Sequence, residues 1–273
     1  MRLLLVSFLA LILHVAAVPA AVKHDIHDPF DKLLDTYVRE GYVYYRAVQI
    51  ERKSLDAYVK ALDVPAATVS AWPKNQQLAF WINAYNALVL QTVIDKYPIK
   101  GTAAEFPTNS IKQIPGAFQT KVHRVAGQSL TLDGVEKVVI EFGDARALLA
   151  LGRGAIGSGR LKSEAYRAAT LDAQLEKSVK EFVARVACLK VDTSANVLLV
   201  SPLFGWRQEA FIASFAASGQ QYTGRSPLEQ AIAGMAAPKL YPNERDFLAL
   251  NTYQLQYGPF DWRLNDLTGG MPN

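Results

Sequence analysis

Cysteine is almost absent from this chain, since Cys188 is the only one among 273 residues. A disulfide within the chain is therefore excluded. Histidine is also scarce, with four residues, and no cluster of histidine and cysteine has the spacing of zinc ligands. Val186, Ala187 and Leu189 surround Cys188, which favours a buried thiol over a nucleophile. We expect neither a metal nor a cofactor.

Long runs of one charge and low-complexity segments are absent as well. Lysine and arginine are scattered among the acids, and the formal net charge is only +4. No basic stripe with interleaved aromatic residues occurs, so nucleic acid is not an expected partner. Half of the residues are hydrophobic, which is ample for a buried core. Without a convincing linker, we predict a single domain over residues 21–273.

A hydrophobic run occurs only at the start of the chain. Arg2 is followed by the apolar stretch Leu3–Leu13, and Val18–Ala20 supplies small residues of the kind that precede a cleavage site. His14 interrupts the run, which is shorter than the roughly 20 residues of a membrane span. We predict a signal peptide at residues 1–20 and a secreted or periplasmic protein without a transmembrane segment after its removal.

The periodicity of the remaining chain predicts mostly helices with a few strands. Residues 75–96 are apolar on nearly every face of a helix, so we expect this helix at the centre of the domain. Asp28 is predicted to cap the first helix, residues 42–48 to be extended, and residues 189–200 to form a hairpin. The predicted fold is α+β: a helix-rich single domain around a long central apolar helix, with a small, mostly antiparallel sheet.

Glycines in the loop Gly152–Gly159 have the spacing GxGxxG, which raises the question of a phosphate site. A dinucleotide fingerprint needs a preceding strand, a following helix and a surrounding βαβ unit, and the pattern here provides none of them clearly. A P-loop needs lysine and a hydroxyl residue after its last glycine, but Arg160 and Leu161 stand there. We therefore predict a surface loop and no nucleotide cradle.

Several short motifs, taken in order, resemble a known family. They are QLAFWINAYNALVL (77–90), LTLDGVE (130–136), FGDAR (142–146), EAY (164–166), LDAQL (171–175) and FDWRLN (260–265). In this order they are similar to the family called domain of unknown function 547. The resemblance covers about residues 28–265.

The resemblance implies that the glycine loop of the family carries two cysteines, at the positions of Arg153 and Ser158. It also implies histidines at the positions of Leu148 and Lys137. This chain is thus expected to be a divergent member that lacks thiol and imidazole chemistry. A guanidinium cannot act as a nucleophile at neutral pH, and Ser158 has no base at Leu148 to activate it. The catalytic residues, if any, are unknown, and a pseudoenzyme is favoured.

Two amides on the central helix, Asn83 and Asn86, share one face because they are three residues apart. Buried amides destabilise a fold unless they are hydrogen-bonded. They either hold neighbouring backbone or line a cleft beside Trp81 that binds a polar ligand.

The candidate ligand-binding residues are Trp81, Asn83, Asn86, Glu136, Arg153 and Ser158. We hypothesise a non-catalytic protein whose cleft is formed by the first three and the glycine loop, with Arg153 binding an anion. Its partner would be a small molecule or an envelope component. The alternative is an active hydrolase or transferase that uses a non-thiol site, for instance Asn83, Asn86 and Glu136. A purely structural envelope protein is a third alternative.

Overall fold

The computed structural model describes residues 25–217 and 224–268, so the predicted signal peptide at residues 1–20 lies outside the described residues. Helices dominate and the strands are short, which confirms the prediction of a helix-rich α+β fold. Over the described ranges, no helix combines the length and the hydrophobicity that crossing a bilayer requires.

The helices and strands follow one another along the chain. The helices are α1 (Asp28–Tyr37), α2 (Tyr45–Ile50), α3 (Lys53–Ala61), α4 (Ala66–Ser70), α5 (Lys74–Ile94), α6 (Leu132–Glu141), α7 (Leu171–Val183), α8 (Pro202–Trp206), α9 (Gln208–Ala217), α10 (Pro227–Ala236) and α11 (Pro242–Leu250). The strands are β1 (Val38–Arg39), β2 (Tyr42–Val43), β3 (His123–Val125), β4 (Gln128–Leu130), β5 (Leu189–Asp192), β6 (Val197–Val200) and β7 (Gln254–Tyr257). Short 3₁₀ helices cover Ile111–Gln113, Ala145–Leu149 and Ala237–Lys239.

Helix α5 is 21 residues long and begins after Pro73. Proline disfavours helical backbone at the residue before it, so the helix does not extend to Trp72. From Leu78 to Ile94, every residue except Gln91 is buried. Helices α2, α3 and α6 pack against it. A helix that is apolar all round has to be covered on all sides. Each large apolar side chain buried there contributes about 1.5–3 kcal/mol relative to exposure.

The strands form three separate sheets, which corrects the prediction of a single small one. Strands β1–β2 and β3–β4 are two antiparallel ribbons, each with at most three residues per strand. In the third sheet, β5 and β6 are antiparallel while β6 and β7 are parallel. Strands this short make few ladder hydrogen bonds, and Val43 of β2 adds an isolated parallel bridge to Asp266.

Two local predictions near the N-terminal end are also wrong. The segment predicted as extended over residues 42–48 is a strand only at Tyr42–Val43, and α2 begins at Tyr45. The Tyr45 side chain is completely buried and donates to Asn265 Oδ1 at 2.7 Å, so tertiary packing overrides its strand preference. His27 stands at the N-cap position of α1 without a capping hydrogen bond from its side chain, and Asp28 occupies the first helical position. By contrast, Thr131 caps α6 by accepting from the Gly134 amide at 3.1 Å.

Candidate functional site

The two asparagines of α5 hold backbone segments that lie beside the helix. Asn83 Nδ2 donates to Tyr166 O at 2.8 Å, and the Tyr166 amide donates to Asn83 Oδ1 at 2.9 Å. Asn86 Nδ2 donates to Ala150 O at 3.2 Å and its Oδ1 accepts from the Gly152 amide at 2.8 Å. Both side chains are buried. Each amide therefore satisfies one backbone donor and one backbone acceptor that would otherwise be buried without a partner.

Trp81 is only 4% exposed and lines a different region from the glycine loop. It forms part of the wall of a cleft of about 450 Å³, with Lys74 and Glu141 at the exposed rim. Arg153 and Ser158 are not among the residues that line this cleft. The structure thus separates Trp81 from the loop with which the sequence had grouped it, and a ligand-binding role for Trp81 stays a prediction.

Arg153 points into the interior, and its guanidinium is bonded there to a carboxylate. Nη2 lies 2.5 Å from Glu136 Oε1, and Nη1 donates to Leu148 O and Leu151 O, both at 3.4 Å. Arg207 reaches the same oxygen, with its Nε at 2.9 Å. The side chains of Arg153 and Glu136 are 5% and 1% exposed. We call Glu136, Arg153 and Arg207 the charged triad.

Electrostatics keep the charged triad ionised. Burial alone would raise the pKa of Glu136, but the charges and hydrogen bonds of Arg153 and Arg207 outweigh it, so this pKa is lowered. The Tyr85 hydroxyl, completely buried near the same charges, has no hydrogen-bond partner. Burial holds the pKa of Tyr85 far above its usual range, so the phenol stays neutral. A carboxylate with two cationic partners and no exposure is a poor general base.

Ser158 has its hydroxyl bound within the loop. Oγ donates to Ala155 O at 2.6 Å and accepts from the Arg153 amide at 3.1 Å. The residue is 1% exposed. Leu148 is buried and Lys137 is exposed, so neither position where the resemblance implies histidine supplies a base. The serine closes a turn and is not poised as a nucleophile.

The described histidines and the cysteine do not supply a nucleophile and base pair. His27 Nδ1 is 2.7 Å from the Tyr58 hydroxyl, and His123 Nε2 is 3.4 Å from Thr92 Oγ1. Burial lowers the pKa of each imidazole to about 4. Cys188 Sγ has the Gly157 carbonyl at 4.0 Å, and burial raises the pKa of the thiol. Within the described ranges, no group of three His, Cys, Asp or Glu side chains is placed to hold a metal ion.

Beside the charged triad lies a group of aromatic side chains that we call the aromatic surface: Trp206, Phe260 and Trp262. The rings of Trp206 and Trp262 stack with centroids 5.9 Å apart, and Phe260 lies 4.9 Å from the first and 4.5 Å from the second. Trp206 is 44% exposed, and Arg207 of the charged triad follows it directly. Two stacked indoles at the surface provide a large apolar area with few rotatable bonds.

Charged groups border the aromatic surface. The ammonium of Lys112 lies 5.3 Å from the ring centroid of Trp262 and at similar distances from Phe106 and Phe118. Asp261 and Arg263 form an ion pair, with Arg263 Nη2 2.6 Å from Asp261 Oδ2. Hydrogen-bonding groups thus lie next to one exposed ring, Trp206, and two partly buried rings, an arrangement that suits an amphipathic ligand.

The aromatic surface is joined to the glycine loop by backbone bonds. The Ile156 amide donates to Arg263 O at 3.0 Å, and the Gly157 amide donates to Asp261 O at 2.9 Å. A Cβ at Gly157 would lie 2.8 Å from the Asp261 nitrogen, so only glycine fits there. A 3₁₀ helix precedes the loop, and in this described stretch no helix follows it before α7, so the surroundings of a dinucleotide fingerprint are not present. The prediction of a surface loop is wrong, because residues 152–159 are buried except for Ile156.

Sequence reasoning missed the aromatic surface, although the signal was present in part. The motif FDWRLN places Phe260 and Trp262 on either side of Asp261. Trp206 is distant in sequence, and only the tertiary fold brings it to them. Arg207 was missed for the same reason.

A sequence model of the family described as "Protein of unknown function, DUF547" matches residues 69–183. This match supports the predicted resemblance of this part of the chain to the DUF547 family. The matched part includes α5, α6, the glycine loop and α7, and therefore Glu136 and Arg153 of the charged triad. Residues of the aromatic surface lie outside the part that the DUF547 model matches. Comparisons with curated proteins and with solved structures find no match.

Proposed function

We propose that this protein is a non-catalytic binding protein and that its ligand is a glycan held on the aromatic surface. The observation that carries the proposal is the exposed indole of Trp206, stacked on Trp262 directly beside the charged triad. The predicted signal peptide fits a role outside the cytoplasm, where glycans are abundant.

The case against catalysis rests on the charged triad. The resemblance places a cysteine of the family where Arg153 stands, and Arg153 is here paired with Glu136 in the interior. A buried guanidinium bonded to a carboxylate has no lone pair with which to attack a substrate. The hydroxyl of Ser158 is hydrogen-bonded to backbone groups. The ion pair therefore supports a protein that retains the glycine loop but does not catalyse a reaction there.

The case for a glycan rests on shape and polarity. A pyranose ring has a flat face of polarised C–H bonds, which packs on the electron-rich face of an indole. Its hydroxyl groups require donors and acceptors at the edge of that face. Arg207, Asp261 and Arg263 are all partly exposed there and can supply both.

Calorimetric titration with oligosaccharides tests the proposal. Chitohexaose and cellohexaose serve as neutral probes and oligogalacturonate as an anionic one. We expect Trp206→Ala to weaken binding of at least one probe by about tenfold, since a stacked ring contributes about 0.5–1.5 kcal/mol beyond the area it buries and about 1.4 kcal/mol is a tenfold change in affinity. Tyr44→Ala is the matched control, because Tyr44 is 41% exposed and lies outside the aromatic surface. Binding that is equal in both variants would refute the proposal.

The alternative, an active hydrolase or transferase, makes a different prediction for the same samples. The enzyme hypothesis requires that the protein converts the bound oligosaccharide to a product and that Glu136→Gln abolishes this conversion. Chromatography of each probe after prolonged incubation measures this directly. Under the binding proposal, the probes are recovered unchanged.

A further inference from the structure

Arg185 is a guanidinium with backbone partners and no counter-ion. It follows the end of α7, where Nη1 donates to Ile156 O at 2.9 Å and Nη2 donates to Ser158 O at 2.6 Å. Its Nε is buried and has no hydrogen-bond partner. Within the described ranges, no carboxylate lies within ion-pair distance of this side chain. A donor and a charge are therefore left uncompensated, which destabilises a buried group.

The unpaired guanidinium lines a small cavity on the outer side of the glycine loop. We call it the anion pocket. Its volume is about 50 Å³, and its walls are Glu40, Gly41, Tyr42, Ala155, Ile156, Ser158, Gly159, Arg160, Arg185 and Asn265. Arg160 is the second cation, and its ion pair is with Glu40, at 3.2 Å. Because Glu40 is 84% exposed, that ion pair is screened by solvent and contributes little.

Neighbouring acids do not neutralise the anion pocket. Glu181 pairs with Lys162, and Asp261 pairs with Arg263. The walls therefore carry two guanidinium groups and one carboxylate. Burial lowers the pKa of Arg185, while Cys188, Glu181 and Tyr42 act against this effect and the charge of Arg160 adds to it.

We propose that the anion pocket binds one phosphate or sulfate group, held between Arg185 and Arg160. A cavity of about 50 Å³ exceeds the roughly 10–15 Å³ that one water molecule needs on this measure, so it has room for one small oxyanion. Guanidinium groups match the oxygens of phosphate and sulfate with paired donors. The Tyr42 side chain is a further group in the walls.

The anion pocket is independent of the aromatic surface and of the proposed glycan. It also differs from the anion role that the sequence suggested for Arg153, whose charge is compensated by Glu136. The same oxyanion chemistry is offered by free phosphate, by a phosphate monoester and by the headgroup of an acidic phospholipid. The experiment has one arm for each source.

Isothermal titration of the full mature chain with sodium phosphate, sodium sulfate and glycerol phosphate, at constant ionic strength, measures binding. Sedimentation with phosphatidylglycerol vesicles measures the lipid arm. We expect saturable binding in at least one arm and a loss of about tenfold in affinity in Arg160→Gln, because one charge-assisted hydrogen bond is removed. Arg185→Lys keeps the charge but loses the paired N–H donors of the guanidinium, and we expect it to weaken binding as well.

Arg124→Gln is the control, because it removes the same charge from a different surface, where the Arg124 side chain is 59% exposed. If Arg185→Lys fails to fold, Arg160→Gln alone decides the question. The proposal is overturned if no arm shows saturable binding, or if Arg160→Gln and Arg124→Gln respond alike. Binding to free phosphate alone identifies a small ion as the ligand. Tighter binding of the ester or of vesicles, lost in Arg160→Gln, identifies the phosphoryl group of a larger molecule.

Discussion

Arg153 belongs to the glycine loop and Arg185 donates to two carbonyls of that loop, but the two charges have different surroundings. Arg153 pairs with the buried carboxylate of Glu136 and also donates to two carbonyls. Arg185 likewise donates to two carbonyls but has no acid. Carbonyl dipoles satisfy the donors of both groups, whereas only a carboxylate neutralises a charge. The comparison indicates that the inner cation is part of the core and that the outer one is available to an external anion.

Removal of Glu136 gives the largest expected effect. Glu136→Gln leaves Arg153 buried beside Arg207 without a negative charge, and breaking a buried pair in this way costs about 3–5 kcal/mol. Urea unfolding at neutral pH measures the loss. Glu176→Gln is the control, because Glu176 also accepts from two cations, Arg146 and Lys239, but is 42% exposed. We expect less than about 1 kcal/mol there. Equal losses would show that burial does not distinguish the two sites.

A smaller effect is expected on the outer side of the loop. Arg185→Met leaves the carbonyls of Ile156 and Ser158 without their donor but also removes an uncompensated charge. The two consequences oppose each other, so we expect a net loss of about 1–2 kcal/mol. The same urea unfolding measures it. A loss as large as that in Glu136→Gln would contradict the distinction between the two arginines.

The smallest expected effect is the pH dependence of the stability that Glu136 contributes, which changes only in acid. The pKa of Glu136 is lowered from its reference value of 4.5 by Arg153 and Arg207, against the effect of burial. Because the folded state binds this proton less readily than the unfolded state, the contribution is complete above pH 4.5 and is lost as pH falls through the folded pKa. The stability difference between wild type and Glu136→Gln should shrink in that window. A difference that is constant with pH would contradict the prediction, because it would mean that folding leaves the pKa of Glu136 unchanged.

Much of the fold was predictable from the local pattern. The apolar run of α5, the Thr131 cap of α6 and the hairpin of β5 and β6 depend on nearest neighbours, and the structure has each of them. Predictions failed where distant contacts decide, as at Tyr45, which is helical because its ring packs inside and bonds Asn265. The division of the strands among three sheets likewise depends on tertiary contacts.

The candidate site was predictable only in part. Asn83 and Asn86 were recognised as a pair on one face, and the structure gives them the backbone-holding arrangement that was one of the two alternatives. Glu136 and Arg153 are separate candidates in the sequence, and because they stand 17 positions apart the pattern does not indicate their ion pair. Arg207 and the aromatic surface were not predictable, because their residues are distant in sequence and come together only in the folded chain.

By itself, the sequence determined the residue types at the loop: glycines that allow close approach, and a guanidinium and a hydroxyl where the family resemblance implies thiols. The tertiary structure alone decided the direction and partner of each charge. Arg153 was drawn inward by Glu136, and Arg185 was left facing a cavity. The physical reason is that electrostatic free energy depends on distance and burial, and both are set by segments that meet only after folding.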